Sequence, residues 1–146
     1  MNSSRLSSEN LHASTVALDG RAVIISGPSG SGKSDLTLRL LDRGFVLVSD
    51  DRTIVRNADG RVIAAAPDTI RGKLEIRGVG IVDMPSVDDM PVALVVELTS
   101  DIARLPDDSR VRNIMGIGIP LISVDAMTAS APSKVAVALE RLGLKF

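Results

Sequence analysis

The chain has 146 residues, 45% hydrophobic and 24% charged, which predicts one globular domain with a real core. Its formal net charge of −1 lacks the basic excess expected of a nucleic-acid-binding face or a polybasic membrane anchor. With no cysteine, the chain cannot form disulfides, zinc–thiolate sites or thiol nucleophiles. No apolar run reaches the about 18 residues of a membrane helix, and the polar N-terminus is unlike a secretory signal. We therefore expect a cytoplasmic protein with no nucleic-acid or membrane partner.

Apolar runs and turn residues predict a strand-rich domain. Residues 1–10 are polar and are expected to be a flexible N-terminus, and residues 11–146 to form a single domain. Asp-Gly pairs at 19–20 and 59–60 lie between β-rich segments, which predicts two hairpins. The predicted strands are 15–18, 21–26, 45–49, 53–56, 61–66, two arms within 74–84, 91–98 and 119–125.

Two helices are predicted, and residues 100–110 are expected to be a polar loop. The first helix covers 34–43, with apolar residues at helical spacing and a glycine at its C-terminal end. The second runs from Pro132 to residue 142, with Ser130 near its N-cap. Strands thus outnumber helices, which indicates an α/β domain richer in strands than most proteins with a phosphate-binding loop.

The strongest motif is Gly-Pro-Ser-Gly-Ser-Gly-Lys-Ser, which matches G-x-x-x-x-G-K-[ST] between a predicted strand and helix. Backbone N–H groups of such a loop surround phosphate oxygens, and the helix N-terminus adds positive potential. Lys33 would contact the phosphates and Ser34 would ligate Mg²⁺. A chance glycine turn is the alternative, but the flanking strand and helix favour nucleotide binding. The predicted binding residues are Gly27, Pro28, Ser29, Gly30, Ser31, Gly32, Lys33 and Ser34.

An acidic pair, Asp50-Asp51, ends a predicted apolar strand, where ligand sites of α/β proteins gather. Phosphoryl transfer needs a further metal ligand and a group that activates the nucleophile. Neighbours on an extended chain point in opposite directions, so we expect only one of the two to face the phosphates. A carboxylate of a turn or helix cap is the alternative interpretation.

Glu75 is the next acidic candidate. It lies between two apolar neighbours, so its side chain should face away from the core. A lone glutamate there is usually solvated, but Gly78 and Gly80 follow, and glycines within strands often mark close approach of a ligand or backbone. His12 is the single histidine and, taken alone, is most simply a surface residue.

These residues resemble, in order and spacing, the catalytic domain of the bacterial HPr kinase/phosphorylase family. The resemblance depends on His12, the loop at 27–34, VSDD at 48–51 and LEIRGVGIV at 74–82. It is good over residues 12–83 and weaker beyond. It implies a mixed-sheet domain similar to the phosphoenolpyruvate carboxykinase-like catalytic domain, in a short form without the separate N-terminal domain, assembled as a hexamer.

The resemblance also implies a reaction and a set of roles. Family members use ATP and Mg²⁺ to phosphorylate a serine of the phosphocarrier HPr, and remove that phosphate with inorganic phosphate, releasing pyrophosphate. By matching position, Lys33 would bind phosphate, and Ser34 and Glu75 would ligate Mg²⁺. Asp51 would accept the serine proton and return it in the reverse direction, while His12 would support Asp51 and the phosphate site.

The chain departs from the family pattern at two further places. The first helix begins Ser34-Asp35, where Ser-Glu is common. The family's arginine-bearing stretch near its C-terminal end has only a weak counterpart, Arg110 and Arg112. An arginine acting in transfer, and the phosphorylase activity, are therefore the least supported parts of the resemblance.

Two other functions are compatible with the phosphate loop. A small-molecule kinase usually covers its phosphates with a basic lid, for which Arg71, Lys73 and Arg77 are the candidates, although no long helical lid is predicted. A non-catalytic nucleotide sensor would keep the loop and would not depend on Asp51.

Overall fold

The fold is seen in a computed structural model, which describes residues 8–102 and 109–146. The strands are β1 (Ser8–Leu11), β2 (Ala13–Leu18), β3 (Arg21–Ser26), β4 (Val46–Ser49), β5 (Thr53–Ala58), β6 (Arg61–Ala65), β7 (Lys73–Ile76), β8 (Gly80–Asp83), β9 (Met90–Leu98), β10 (Val111–Ile114) and β11 (Ile117–Val124). The α-helices are α1 (Lys33–Leu41) and α2 (Ala131–Leu142), and a short 3-10 helix covers Asp68–Ile70.

Strand β9 is central to a mixed sheet of nine strands, counted over the described ranges. It pairs in parallel with β3 along one edge. Along its other edge it pairs first with β6, antiparallel, and then with β11, parallel. The nearly continuous apolar run of β9 suits this position, because strands covered on both faces lack alternation. Strands β7 and β8 form a separate hairpin.

The strand directions bring three distant segments to one edge of the sheet. Strand β2 lies between β3 and β4 and is antiparallel to both, so β3 and β4 run in the same direction. The carboxyl ends of β3 and β4, at Ser26 and Ser49, therefore share an edge with the amino end of β2, at Ala13. The phosphate loop, the acidic pair and His12 each adjoin one of these ends.

Two apolar clusters hold the sheet. Leu36 and Leu40 of α1 and Val135 and Leu139 of α2 are buried in the first cluster, against one face of the sheet. Fully burying a leucine contributes about 1.5–3 kcal/mol, so these contacts fix both helices on that face. The second cluster consists, among its buried members, of strand residues alone, including Ile24 of β3. Alternate residues of β3 thus belong to different clusters, because successive side chains of a strand point to opposite faces of the sheet.

Most predicted elements are confirmed. The hairpins turn at the two Asp-Gly pairs, whose residues all have positive φ. Helix α2 has Ser130 at its N-cap and proline in its first turn. The strand-rich mixed α/β fold class is confirmed as well. None of the helices in the described ranges has the length and apolar character needed to span a bilayer.

Two short strands were missed. Ser8–Asn10, predicted to be flexible, belong to β1, which pairs with β5 from Ser8 opposite Arg56 to Leu11 opposite Thr53. Its side chains are largely exposed, so hydrophobic patterning could not reveal it. Strand β10 has only four residues, two of them polar, and pairs with β11. Residues 1–7 of the predicted flexible segment, and 103–108 of the predicted loop, lie outside the described residues.

Candidate active site

The phosphate loop connects β3 to α1 as the motif predicts. Gly32, at the N-cap of α1, has φ 100°, a conformation open to glycine at little cost. Lys33 is buried, and its Nζ donates hydrogen bonds to the carbonyl oxygens of Gly27 and Pro28 at 2.7 and 3.1 Å. The ammonium is therefore held against the loop itself, at the N-terminal end of the helix, where anions bind.

Gly27 and Ser31 pack closely inside the loop. A Cβ added at Gly27 would lie 2.7 Å from Ser31 Oγ and 3.1 Å from Leu98 Cβ, so a larger residue would require Ser31 to rotate and Leu98 to shift. Ser31 Oγ is itself buried and finds no hydrogen-bond partner among the described residues. A buried hydroxyl without a partner is costly, and a phosphate oxygen would satisfy it. The loop therefore has a shape and an unpaired donor that fit a phosphate ligand.

Asp50 joins the phosphate loop to the rest of the site. Its Oδ1 accepts hydrogen bonds from Ser34 Oγ, at 2.9 Å, and from Ser14 Oγ, at 3.1 Å. Its Oδ2 accepts one from the backbone N–H of Glu75, at 3.1 Å. The residue is only 8% exposed. A nearly buried carboxylate with several donors keeps its position well, because its orientation is over-determined.

Asp51 pairs with His12. Asp51 Oδ1 lies 2.8 Å from His12 Nε2, and both side chains are more than half exposed. Asp51 has φ 67°, a left-handed turn conformation. The assumption that Asp50 and Asp51 lie on an extended chain is therefore wrong, and both residues line the same cavity. His12, which looked like an isolated surface residue, lies beside the candidate base because β2 begins at this edge.

Glu75 lies on β7 and is exposed, as its apolar neighbours predict. Glu75 lines a cavity of about 290 Å³ next to the acidic pair. The cavity is lined by Asp50, Asp51, Arg52, Pro67, Thr69, Ile70, Lys73, Glu75 and Ile81. Of the two predicted metal ligands, Ser34 contacts the Asp50 carboxylate directly, whereas Glu75 is tied to Asp50 through its backbone.

The hairpin β7–β8 forms one wall of this cavity. Gly78 and Gly80 have φ of 86° and 115°, and a Cβ at either would meet open space. Their positive φ accounts for glycine at both positions, and no protein atom comes close, so the close approach of a ligand that the sequence suggested stays a prediction. Lys73 and Asp83 pair across the hairpin at 2.9 Å, and the hydrogen bond and charge of Lys73 lower the pKa of Asp83.

Two of the basic residues considered for a phosphate-covering lid form ion pairs with aspartates. Arg71 pairs with Asp68 at 2.7 Å and with Asp88 at 2.9 Å, and these carboxylates raise its pKa. Lys73 is held by Asp83. Two of the three cations proposed for a phosphate-covering lid therefore already have carboxylate partners.

Arg110 and Arg112, the weak counterpart of the family's arginine-bearing stretch, differ in position. Arg110 hydrogen-bonds Ser123 Oγ at 2.8 Å and pairs with Glu97 at 3.3 Å. Arg112, on β10, donates to Ser26 Oγ at 3.2 Å, immediately before the phosphate loop. Of the two, Arg112 is thus the one placed beside the loop.

The protein oxygens at the loop suit Mg²⁺, which binds few protein ligands and shares the rest of its shell with phosphates and water. Ser34 Oγ and the Asp50 carboxylate are such oxygens and lie 2.9 Å apart. Among the described residues, no group of three or more histidine, aspartate or glutamate side chains is arranged to hold a metal ion. The donors present therefore fit a magnesium ion that also binds nucleotide phosphates.

The sequence matches the family described as the HPr Serine kinase C-terminal domain over residues 4–142. This chain belongs to that family. A protein named HPr kinase/phosphorylase from Clostridium beijerinckii is 34% identical over 126 residues, covering 78% of this chain and 42% of that protein. One of the same name from Prosthecochloris aestuarii is 36% identical over 129 residues, covering 80% and 38%. This chain thus spans about two fifths of the length of these curated relatives.

The fold comparison agrees with the family assignment. The solved structure titled "Structure of the Hpr(Ser) kinase/phosphatase from Coxiella burnetii" matches with a TM-score of 0.80 and 27% identity, covering 90% of this chain and 88% of that one. The expected family and its fold class are therefore confirmed.

Two residues of this site were not assigned roles from the sequence. Asp50 was noticed only as half of a pair, although an acid directly after an apolar strand is a signal for a metal-binding carboxylate in phosphate-loop proteins. Ser14 was not noticed. Its proximity to Asp50 depends on strand pairing 36 residues apart, and no local pattern marks it.

Proposed function

We propose that this chain is the catalytic domain of an ATP- and Mg²⁺-dependent protein serine kinase acting on an HPr-like phosphocarrier. The supporting observation is that a phosphate loop and a candidate base, Asp51, meet at one sheet edge, joined through Asp50 and Ser34. The relatives of the same family carry the name HPr kinase/phosphorylase.

The chemistry assigned to each residue follows from its surroundings. The loop N–H groups and Lys33 would hold the phosphates of ATP and stabilise charge on the transferred group. The acceptor serine would approach from the cavity side, where Asp51 accepts its proton as its oxygen bonds to the γ-phosphorus and ADP leaves. His12, 2.8 Å from Asp51, would orient that carboxylate.

Mg²⁺ would supply neutralisation of phosphate charge and alignment of the transferred group. Ser34 is the first proposed ligand, and Glu75 is retained as the second on the family resemblance. Asp50 is added as the carboxylate that contacts Ser34, either as a direct ligand or through an ordered water.

The reverse reaction is proposed on the same residues. An oxygen of inorganic phosphate would attack the phosphoserine phosphorus, the serine oxygen would take a proton from Asp51, and pyrophosphate would be released. Arg112 is the candidate for an arginine that assists transfer, because it hydrogen-bonds Ser26 next to the loop. The hexameric assembly and the cytoplasmic location remain predictions, the first from the family resemblance and the second from the sequence.

A small-molecule kinase is the less favoured alternative. The ion pairs of Arg71 and Lys73 with aspartates weaken the case for a phosphate-covering lid. A nucleotide sensor would not need the contact between His12 and Asp51.

Labelled ATP separates these functions. Purified chain should transfer the γ-phosphate of ATP to a serine of HPr, located by mass spectrometry of the HPr peptide. Transfer to a metabolite alone would support the small-molecule kinase, and Mg²⁺-dependent ATP binding without any transfer would support the sensor. Lys33→Met is the matched negative control, since it removes the ammonium but retains an apolar stem.

A further inference from the structure

Buried hydroxyl groups surround the turn that carries the two aspartates. Four side chains, Ser14, Thr15, Ser49 and Thr53, have 0% exposure. Burying a hydroxyl is unfavourable unless its hydrogen bonds are made, so a cluster of four beside one short turn needs a structural or functional reason. We call these four residues the hydroxyl clamp.

Two members of the clamp, Ser49 and Thr53, bond to backbone carbonyls beside the turn, and Thr15 contacts Thr53. Ser49 Oγ donates a hydrogen bond to the carbonyl of Arg52, which closes the turn on itself. Thr53 Oγ1 donates to the carbonyl of Ala13 at 2.9 Å and lies 2.8 Å from Thr15 Oγ1. The turn is thus attached to β2, the strand that separates β4 from the phosphate-loop strand β3.

Ser14 differs from the other clamp members because it contacts both aspartates. Its Oγ donates to Asp50 Oδ1 at 3.1 Å and accepts a hydrogen bond from the backbone N–H of Asp51 at 2.9 Å. A hydroxyl has one donor and two acceptor sites, so it can make both bonds together. The N–H it holds belongs to a residue with φ 67°, a conformation uncommon for non-glycine residues, although Asp tolerates it better than most.

We propose that Ser14 is a positioning residue for phosphoryl transfer, an inference that depends on the proposed kinase function. Its hydroxyl fixes the same Asp50 oxygen that accepts from Ser34, and so holds that carboxylate at the phosphate loop. Its second bond holds the Asp51 backbone in the turn that directs the Asp51 carboxylate to His12. One buried hydroxyl thereby sets the position of Asp50, at the proposed Mg²⁺ site, relative to Asp51, the proposed base. Ser14 itself is fully buried, so it acts through these two residues.

The test compares Ser14→Ala with Thr15→Val in the full chain. Both remove one fully buried clamp hydroxyl from β2, but Thr15 contacts Thr53 and neither aspartate. Ser14→Ala should lower kcat for HPr phosphorylation by about tenfold, while KM for HPr stays at the wild-type value. Thr15→Val should lower the thermal midpoint and leave kcat near the wild-type value. Ser14→Thr, which keeps the hydroxyl, should recover most of the lost kcat.

Two results would overturn the inference. One is a wild-type kcat in Ser14→Ala, and the other is an equal loss of kcat in Thr15→Val, which would make the effect one of stability alone. If circular dichroism shows that Ser14→Ala does not fold, Ser14→Cys replaces it, since a thiol is a much weaker donor of similar shape. An unchanged kcat in folded Ser14→Cys would equally overturn the inference.

A separate measurement distinguishes failure of the proposed function from failure of this inference. If wild-type chain transfers no phosphate to HPr, the kinase proposal fails whatever Ser14 does. The positioning role is then judged by hydrogen exchange of the Asp51 amide in ¹⁵N NMR spectra. Exchange should be faster in Ser14→Ala than in Thr15→Val, because only the former loses the acceptor of that N–H. Equal exchange rates would overturn the inference.

Discussion

Asp50 Oδ1 accepts a 2.9 Å hydrogen bond from Ser34 Oγ, and this contact joins the phosphate loop to the end of β4 across the intervening strand β2. The two residues are 16 positions apart and belong to different elements. The same carboxylate accepts from the Glu75 backbone, so the phosphate loop, the acidic turn and the hairpin β7–β8 share one anchoring group.

Asp50→Asn should weaken Mg²⁺-dependent ATP binding. An asparagine has a single acceptor oxygen and a donor NH₂ group, so it cannot accept from Ser14, Ser34 and Glu75 as the carboxylate does. We expect the dissociation constant of Mg·ATP to rise by about tenfold or more, measured by isothermal titration calorimetry. ATP binding in EDTA serves as the control, since the difference between wild type and variant should largely disappear without the metal.

Asp51→Asn should separate catalysis from binding. Loss of a general base costs about 10²–10⁴ in rate, so kcat for HPr phosphorylation should fall by that range while the affinity for Mg·ATP is kept. His12→Ala should lower kcat by a smaller factor. Both side chains of the His12–Asp51 contact are more than half exposed, so both variants should melt near the wild-type temperature. A normal transfer rate in Asp51→Asn would refute its assignment as the base.

Gly27→Ala should abolish nucleotide binding. The added Cβ would lie 2.7 Å from Ser31 Oγ and 3.1 Å from Leu98 Cβ, so the Ser31 hydroxyl must rotate away from the phosphate site and Leu98 must shift. Gly118→Ala is the matched control, because its Cβ would have ordinary contacts beginning at 3.8 Å and its φ is not positive. Fluorescent ATP-analogue binding should be lost in the first variant and retained in the second. Retention in both would show that the loop tolerates the methyl group.

Leu40→Ala should destabilise the domain by about 2–5 kcal/mol, since Leu40 is fully buried between α1 and the sheet. Val137→Ala, at a position 54% exposed on α2, should change stability by less than about 0.5 kcal/mol. Urea unfolding followed by circular dichroism gives both values. Similar losses for the two variants would contradict the packing of α1 on the first apolar cluster.

The pKa of Asp83 should rise toward its ordinary value in Lys73→Met. In the wild type, Lys73 lowers the pKa of Asp83, so the pair contributes stability at neutral pH that is lost as pH falls through the depressed pKa. NMR titration of the Asp83 carboxyl carbon measures the shift. Arg77→Met, in the turn of the same hairpin four residues after Lys73, is the control and should leave this titration unchanged.

Local sequence patterns were sufficient for much of the fold. Apolar runs predicted the buried strands, and the Asp-Gly pairs predicted hairpins, because both signals arise from neighbouring residues. Strands β1 and β10 were missed because each has only four residues, mostly exposed or half-buried, and no apolar run. Strand β1 pairs with β5, which is distant in sequence, whereas β10 pairs with the directly following β11. Gly78 and Gly80 have positive φ, which the sequence did not predict, while the approach of a ligand to them stays a prediction.

The sequence by itself determined the phosphate loop, the strand and helix around it, and the family to which the chain belongs, because these are encoded in contiguous residues and fixed spacings. Only the tertiary structure decided which groups meet. Antiparallel pairing of β2 with both β3 and β4 brings Ser14 and His12 to the acidic turn, and the left-handed turn at Asp51 turns its carboxylate toward His12. Such contacts depend on strand order and register, which are properties of the whole sheet and are not written in any one segment.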